Sequence, residues 1–174
     1  VCVATPAPRK GHDVLIGALS WLDDLPWRLT CVGSATRDAP TASAIQTQIA
    51  LLELGTRIAL VGEKSGADLD AVYATADGFV LASRDEGYGM AFAEALARGL
   101  PIVACAAGAV PDTVPAGAGL LVPVDDVPAL AQALRRVIAD RSLRGSMSDA
   151  AWDAGQRLPR WEDTARLIAA GLSA

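Results

Sequence analysis

Six short runs in this chain are apolar nearly from end to end: Val1–Ala4, Leu29–Gly33, Ile58–Val61, Gly78–Leu81, Ile102–Ala104 and Gly119–Val122. A strand with one face in water alternates apolar and polar residues. Continuous apolar character therefore predicts strands covered on both faces. Between the runs lie longer stretches with apolar residues three and four apart. Val14, Leu15, Ala18, Leu19 and Leu22 form one such stripe; Leu69, Val72, Tyr73 and Ala76 form another; Leu130, Leu134, Val137 and Ile138 form a third. Ile45, Ile49, Leu52 and Leu54 come close to the same helical spacing. Strands separated by helices are joined by crossovers, which make a parallel sheet. The expected fold class is α/β: a Rossmann-like three-layer α/β/α sandwich with one six-stranded parallel sheet.

Local punctuation fits that order. Gly99 follows the helical stretch Met90–Arg98 as a left-handed stop, and Pro101 stands at the entry of the next strand. Asp125-Asp126 supplies an N-cap for a helix that opens at Val127-Pro128. The 174 residues suit one domain with a full core. The stretch Asp140–Leu158 is more polar and reads as a tail appended to the sandwich. We accordingly expect a sandwich over residues 1–158 and a separate C-terminal helix over 159–174. In that helix Trp161, Ala165, Ile168 and Leu172 share one face. Left uncovered, this face predicts either a weakly anchored helix or a dimer contact of the isolated domain. Val1 opens directly into a strand, which suggests a domain excised from a longer protein.

Composition removes several classes of function. The chain is 52% hydrophobic and 20% charged, which excludes a disordered polymer. Its net charge of −5 and lack of clustered Lys and Arg argue against a nucleic-acid surface. No apolar run reaches the roughly 20 residues that span a bilayer. Cys2, Cys31 and Cys105 lie inside strand-like runs without paired spacing, as small core residues of a reduced protein do. No CxxC or HxxxH pattern is present, so no metal site is expected.

In an open parallel sheet, ligands gather at the carboxyl ends of the strands, where strand order reverses. The loop with the most chemistry is Ser83-Arg84-Asp85-Glu86-Gly87-Tyr88-Gly89-Met90, which leads into a helix containing Glu94. Gly87 and Gly89 carry no side chain to hold a ligand away. The amides of Tyr88, Gly89 and Met90 would point from a helix start toward an anion. A carboxylate does not favour a phosphate, so Glu86 and Glu94 suit hydroxyl donors instead. One acidic residue on each side of a diphosphate is the arrangement a nucleotide sugar requires. A plain structural reading stays open beside it, because glycine loops precede many helices and the dipole alone favours Glu near a helix start.

The stretch Glu86 to Glu94 resembles the Glu–seven residues–Glu signature of glycosyltransferase family 4, retaining enzymes of the two-domain GT-B architecture. Further stretches follow in the family's order. They are Pro8-Arg9-Lys10-Gly11-His12, Tyr73-Ala74-Thr75-Ala76-Asp77, Ala95–Ala104, Ala107–Asp112 and Ala118–Pro123. The resemblance covers nearly the whole chain and implies the C-terminal, donor-binding half of such an enzyme. It implies that Lys10 neutralises the diphosphate leaving group, that Glu86 binds the sugar hydroxyls and that Glu94 binds the ribose. Lys10 and Glu86 are thus the candidate catalytic residues. Gly87, Tyr88, Gly89 and Met90 would cover the phosphates and sugar, while Gly62, Glu63 and Lys64 would border the base. The family often has Gly-Arg where this chain has Ala4-Thr5. Thr5 brings no charge, and Arg9 is the candidate substitute.

The implied activity is transfer of a hexosyl unit from a nucleoside diphosphate sugar to an unidentified acceptor, with no cofactor and no metal. The acceptor domain would precede Val1, so the chain alone is expected to be inactive. The implied placement is cytoplasmic, with the inner face of the membrane as a second placement for the full-length enzyme. Two other readings are weighed: a nucleotide-sugar epimerase, disfavoured by the single histidine His12, and a non-catalytic nucleotide-sugar-binding module. His12 reads as a structural or capping residue rather than a proton-transfer group, Trp21 and Trp27 as packing residues, and Arg84-Asp85 as an exposed charge pair.

Overall fold

The structure, a computed structural model, describes residues 1–158. The helix expected between Trp161 and Leu172, and the dimer contact inferred from it, lie outside the described residues. Six parallel strands occur where continuous apolar runs stand in the sequence. They are β1 (Cys2–Val3), β2 (Leu29–Val32), β3 (Ile58–Leu60), β4 (Phe79–Leu81), β5 (Ile102–Cys105) and β6 (Gly119–Val122). Among the described residues seven α-helices separate or follow them: α1 (His12–Leu19), α2 (Ala39–Leu51), α3 (Gly66–Ala74), α4 (Met90–Ala97), α5 (Val110–Thr113), α6 (Val127–Ala139) and α7 (Arg141–Gly155).

The single six-stranded sheet expected from the sequence is corrected to two three-stranded parallel sheets, β1-β2-β3 and β4-β5-β6. The reason is the brevity of β1: its two residues pair with Cys31 and Val32 of β2 along one edge and are too few to form a ladder with β4 along the other. The sheets nevertheless abut. The Val80 amide donates to the Val1 carbonyl at 2.9 Å, and β1 and β4 lie side by side. Across this seam the spatial order is 3-2-1-4-5-6. Crossovers leave β1 and β4 in opposite directions, and right-handedness then puts α1 and α4 on opposite faces.

The core follows from that layering. Phe79 of β4 meets Phe92 of α4 edge to face at 5.3 Å between ring centres, and all four residues of β5 are buried. Asp126 and Asp140 cap α6 and α7 through the amides of Ala129 and Leu143. The stretch beyond Asp140 is not an appendage. It forms α7, which packs across the end of α4 with Met147 and Ala151 buried. Ser148 donates to the Gly99 carbonyl at 2.7 Å, and a Cβ on Gly155 would stand 2.4 Å from the Leu96 carbonyl oxygen. Small residues make this contact, so its sequence pattern looks polar.

Of the two tryptophans read as packing, Trp27 packs and Trp21 is more than half exposed. Trp27 lies under the guanidinium of Arg57 at 3.9 Å from the ring centre. Arg57 also donates to the Trp27 carbonyl at 3.3 Å and to the carbonyls of Leu22, Asp23 and Leu25. One side chain therefore satisfies the irregular turn between α1 and β2. Substituting Arg57→Ala should cost about 1.5–3 kcal/mol of stability, as expected for hydrogen bonds to a charged donor. The melting temperature should fall by about 2–4 °C for each kcal/mol in a chain of this size. An unchanged denaturation midpoint would remove Arg57 from this role.

Candidate functional site

The reversal of strand order between β1 and β4 opens a crevice at their carboxyl ends, bounded by the loops that follow each strand. The first loop carries Arg9 and Lys10 on a short 3-10 turn, Pro8–Lys10, before α1. The second carries Ser83 to Gly89 before α4. They touch closely. Gly11 has φ +62°, and a Cβ there would lie 1.9 Å from the Ala82 carbonyl oxygen, so only glycine fits. The Arg84 amide donates to the Arg9 carbonyl at 2.7 Å. A third loop, after β5, closes on the same place. The Ala109 amide donates to the Glu86 carbonyl at 2.9 Å, and a Cβ on Gly108 would stand 2.2 Å from that oxygen.

Within this crevice the Lys10 ammonium is paired with Oε1 of Glu86. Ser83, itself buried, donates to the same oxygen at 2.7 Å. Glu86 is only 7% exposed and the Lys10 side chain 15%. Burying a carboxylate is costly unless it is paired and hydrogen-bonded, and these two contacts meet that condition. Both fall on Oε1. Oε2 has no protein partner among the described residues and remains for a ligand. Ser83 went unnoticed in the sequence, although it stands three residues before Glu86.

Beside this pair, α4 begins at Met90. Its first amides have no acceptor within the helix and face the anion-favouring end of its dipole. Gly87 borders open space. Tyr88 and Met90 are 66% and 71% exposed, apolar surface standing at the rim of the crevice. Glu94 lies one turn into α4, where Oε2 accepts from the Tyr73 hydroxyl at 3.1 Å. Burial, and then the neighbouring Glu94 charge, push the Tyr73 phenol well above its ordinary value, so it remains a donor. The guanidinium of Arg98 stacks over the Tyr73 ring at 4.4 Å.

Gly62, Glu63 and Lys64 follow β3 on the same edge but do not join the Lys10–Glu86 cluster. Their contacts run to the loop after β2: the Gly33 amide donates to the Gly62 carbonyl at 3.0 Å, and Arg37 pairs with Glu63 at 3.0 Å. The Arg9 side chain is exposed, and its carbonyl rather than its charge is engaged. His12 is buried, with Nε2 3.8 Å from the Cys2 sulfur, and its side chain does not cap α1. Arg84 is not half of a pair with Asp85. It pairs with Asp13 and Asp125, both at 2.7 Å, and donates to the Pro8 carbonyl. Partial burial pushes the Asp13 carboxyl up, but the Arg84 guanidinium outweighs this and holds it below its ordinary 3.8.

A cavity of about 990 Å³ opens at the opposite, amino edge of the sheets, lined by Val1, Leu29, Phe79, Pro101 and Leu134 among others. It lies away from the ionisable pair and the start of α4. We therefore place the functional site at the carboxyl edge. No helix among the described residues is long and apolar enough to cross a membrane.

Comparison with known proteins shows the family and the fold. A D-inositol 3-phosphate glycosyltransferase of Saccharomonospora viridis is 31% identical over 168 residues, covering 90% of this chain and 38% of that protein. Sucrose-phosphate synthase of Thermosynechococcus elongatus superposes with a TM-score of 0.89 at 30% identity, over 99% of this chain and 44% of its own. Anabaena HepE, solved with UDP and glucose, superposes with a TM-score of 0.88 at 26% identity, over 99% of this chain and 48% of its own. The chain thus spans less than half the length of each, and its Rossmann-like fold is that of one half of a GT-B enzyme. Residues 1–153 match the family described as glycosyl transferases group 1, and the chain belongs to that family.

Proposed function

We propose that this domain binds the nucleotide-sugar donor of a retaining hexosyltransferase of glycosyltransferase family 4. The observation that carries the reading is the division of labour at Glu86. One carboxylate oxygen is held by Lys10 and Ser83, and the other has no protein partner among the described residues. A nucleoside diphosphate sugar matches each part. Its diphosphate suits the Lys10 ammonium and the amides of Tyr88, Gly89 and Met90. Its sugar hydroxyls suit Glu86, and its ribose hydroxyls suit the Glu94 oxygen that Tyr73 leaves open. Gly62, Glu63 and Lys64 then border the base, and Arg9 adds charge at the mouth. That HepE was solved with UDP and glucose supports this ligand class.

In transfer, the bond between the anomeric carbon and the leaving phosphate oxygen breaks, and its electron pair stays on the diphosphate. Lys10 and the helix amides stabilise that charge where it develops. The acceptor hydroxyl must be held against the anomeric carbon by another domain, and that positioning supplies much of the rate. Lys10 and the amides provide countercharge enough for binding without a divalent metal, so donor affinity measured by calorimetry should be the same with and without chelator. A collapse on chelation would replace this scheme with a metal-dependent one. The full-length enzyme would work in the cytoplasm or at the inner face of the membrane.

Substituting Glu94→Ala should weaken UDP and UDP-glucose, or the GDP and ADP counterparts if one of those is the ligand, by tenfold or more. That is the loss of a charge-assisted hydrogen bond of about 1.5–3 kcal/mol. Substituting Glu86→Ala should weaken the sugar nucleotide alone. Equal losses for both ligands in both variants would contradict the assignment.

The purified chain should show no transfer to an added acceptor, because on this reading another domain positions the acceptor. Saturable transfer by this chain, followed by radiolabelled donor, would refute the division of the activity between two domains.

A further inference from the structure

Three loops converge on the Arg84 guanidinium. Nη1 donates to the Pro8 carbonyl and to Asp13 at 3.1 Å, Nη2 donates to Asp13 at 2.7 Å, and Nε donates to Asp125 at 2.7 Å. Pro8 opens the 3-10 turn that ends in Lys10, Asp13 lies in the first turn of α1, and Asp125 belongs to the loop after β6. Asp125 adopts φ +59°, an uncommon backbone state for a residue with a side chain. That conformation brings its carboxylate to Arg84. Arg84 itself stands two residues before Glu86, so one rigid fork joins the segment carrying Glu86 to the turn carrying Lys10. A planar guanidinium with fixed donors holds several acceptors in one geometry, which a lysine ammonium does not.

We propose that Arg84 is a positioning residue of the donor site, which fixes the Pro8–Lys10 turn against the loop after β4 and so sets the Lys10 ammonium at the Glu86 carboxylate. It touches neither ion and acts through the turn. The inference rests on the donor-site reading only for its consequence in binding, since the positioning itself can be read without a ligand.

The chain contains two lysines, Lys10 and Lys64. Acylation by a limiting amount of acetic anhydride, followed residue by residue by mass spectrometry, therefore has an internal reference. In the parent chain Lys10 should react slowly, because it is mostly buried and paired. In Arg84→Gln its rate relative to Lys64 should rise on the order of tenfold, the equivalent of losing one charge-assisted pair. Arg84→Lys should fall between the two, and Asp125→Asn should shift the rate in the same direction with Arg84 in place. Unchanged Lys10 reactivity in Arg84→Gln would overturn the proposal. So would equal acceleration of both lysines, since that signals general loosening.

The second measurement is UDP, GDP and ADP binding by calorimetry. Arg84→Gln should weaken the nucleotide that binds, on the order of tenfold, in the parent chain and add little in a Lys10→Ala background. Equal losses in both backgrounds would show that Arg84 does not act through Lys10. If the parent chain bound none of the three nucleotides, the donor-site reading would fall, and the acylation rates would still decide the positioning role.

Discussion

Backbone pressed against backbone is what the carboxyl edge of this domain depends on. At Gly11 the loop after β1 lies so close to the end of β4 that a methyl group would overlap the Ala82 carbonyl. At Gly108 the loop after β5 lies equally close to Glu86. These two approaches bring three loops, remote in sequence, together around Glu86. The Arg84 amide and the Ala109 amide then tie those loops together at 2.7 and 2.9 Å. A side chain at either glycine would not simply crowd the site. It would move Lys10 or Glu86 away from the other, since each sits on a loop whose position the contact defines.

The strand order gives this contact its place. Because β1 and β4 are neighbours whose crossovers leave in opposite directions, no helix covers the gap between their ends. The partly buried Lys10–Glu86 pair occupies that gap, beside the unsatisfied amides of α4. The cavity at the amino edge lies away from both features. Concavity alone would point to that end of the molecule; the position of the helix starts and of the paired charges points to the other.

The strands were legible because burial on both faces writes itself as uninterrupted apolar sequence, as in Ile102–Cys105. Their partition into two sheets was not, since periodicity reports burial and carries nothing about which edges share hydrogen bonds. α7 was misread for a related reason. Its buried contact uses Met147, Ala151 and Gly155, and only the first of these stands out among polar neighbours. At the site, Glu86, Glu94 and the glycines between them were legible from their chemistry, and Lys10 from the family resemblance. The hub at Arg84 was not. Its partners Asp13 and Asp125 are 71 and 41 residues away, and nothing local distinguishes such an arginine from a solvated one.

The pairing of Lys10 with Glu86 also bears on what leaves the site. In the empty domain each charge already has a partner, so an incoming anion must compete with a carboxylate for the ammonium. On the donor-site reading, a sugar nucleotide compensates both sides of that exchange, giving Lys10 a phosphate and Glu86 the hydroxyls of the sugar. The nucleoside diphosphate that remains after transfer compensates only one. Glu86 is then left desolvated with only the Ser83 hydroxyl on it, and re-forming the internal pair works in favour of dissociation. The latch that closes the empty pocket would thus act as the spring that ejects spent nucleotide, and turnover would owe as much to this intramolecular competitor as to the affinity for fresh donor.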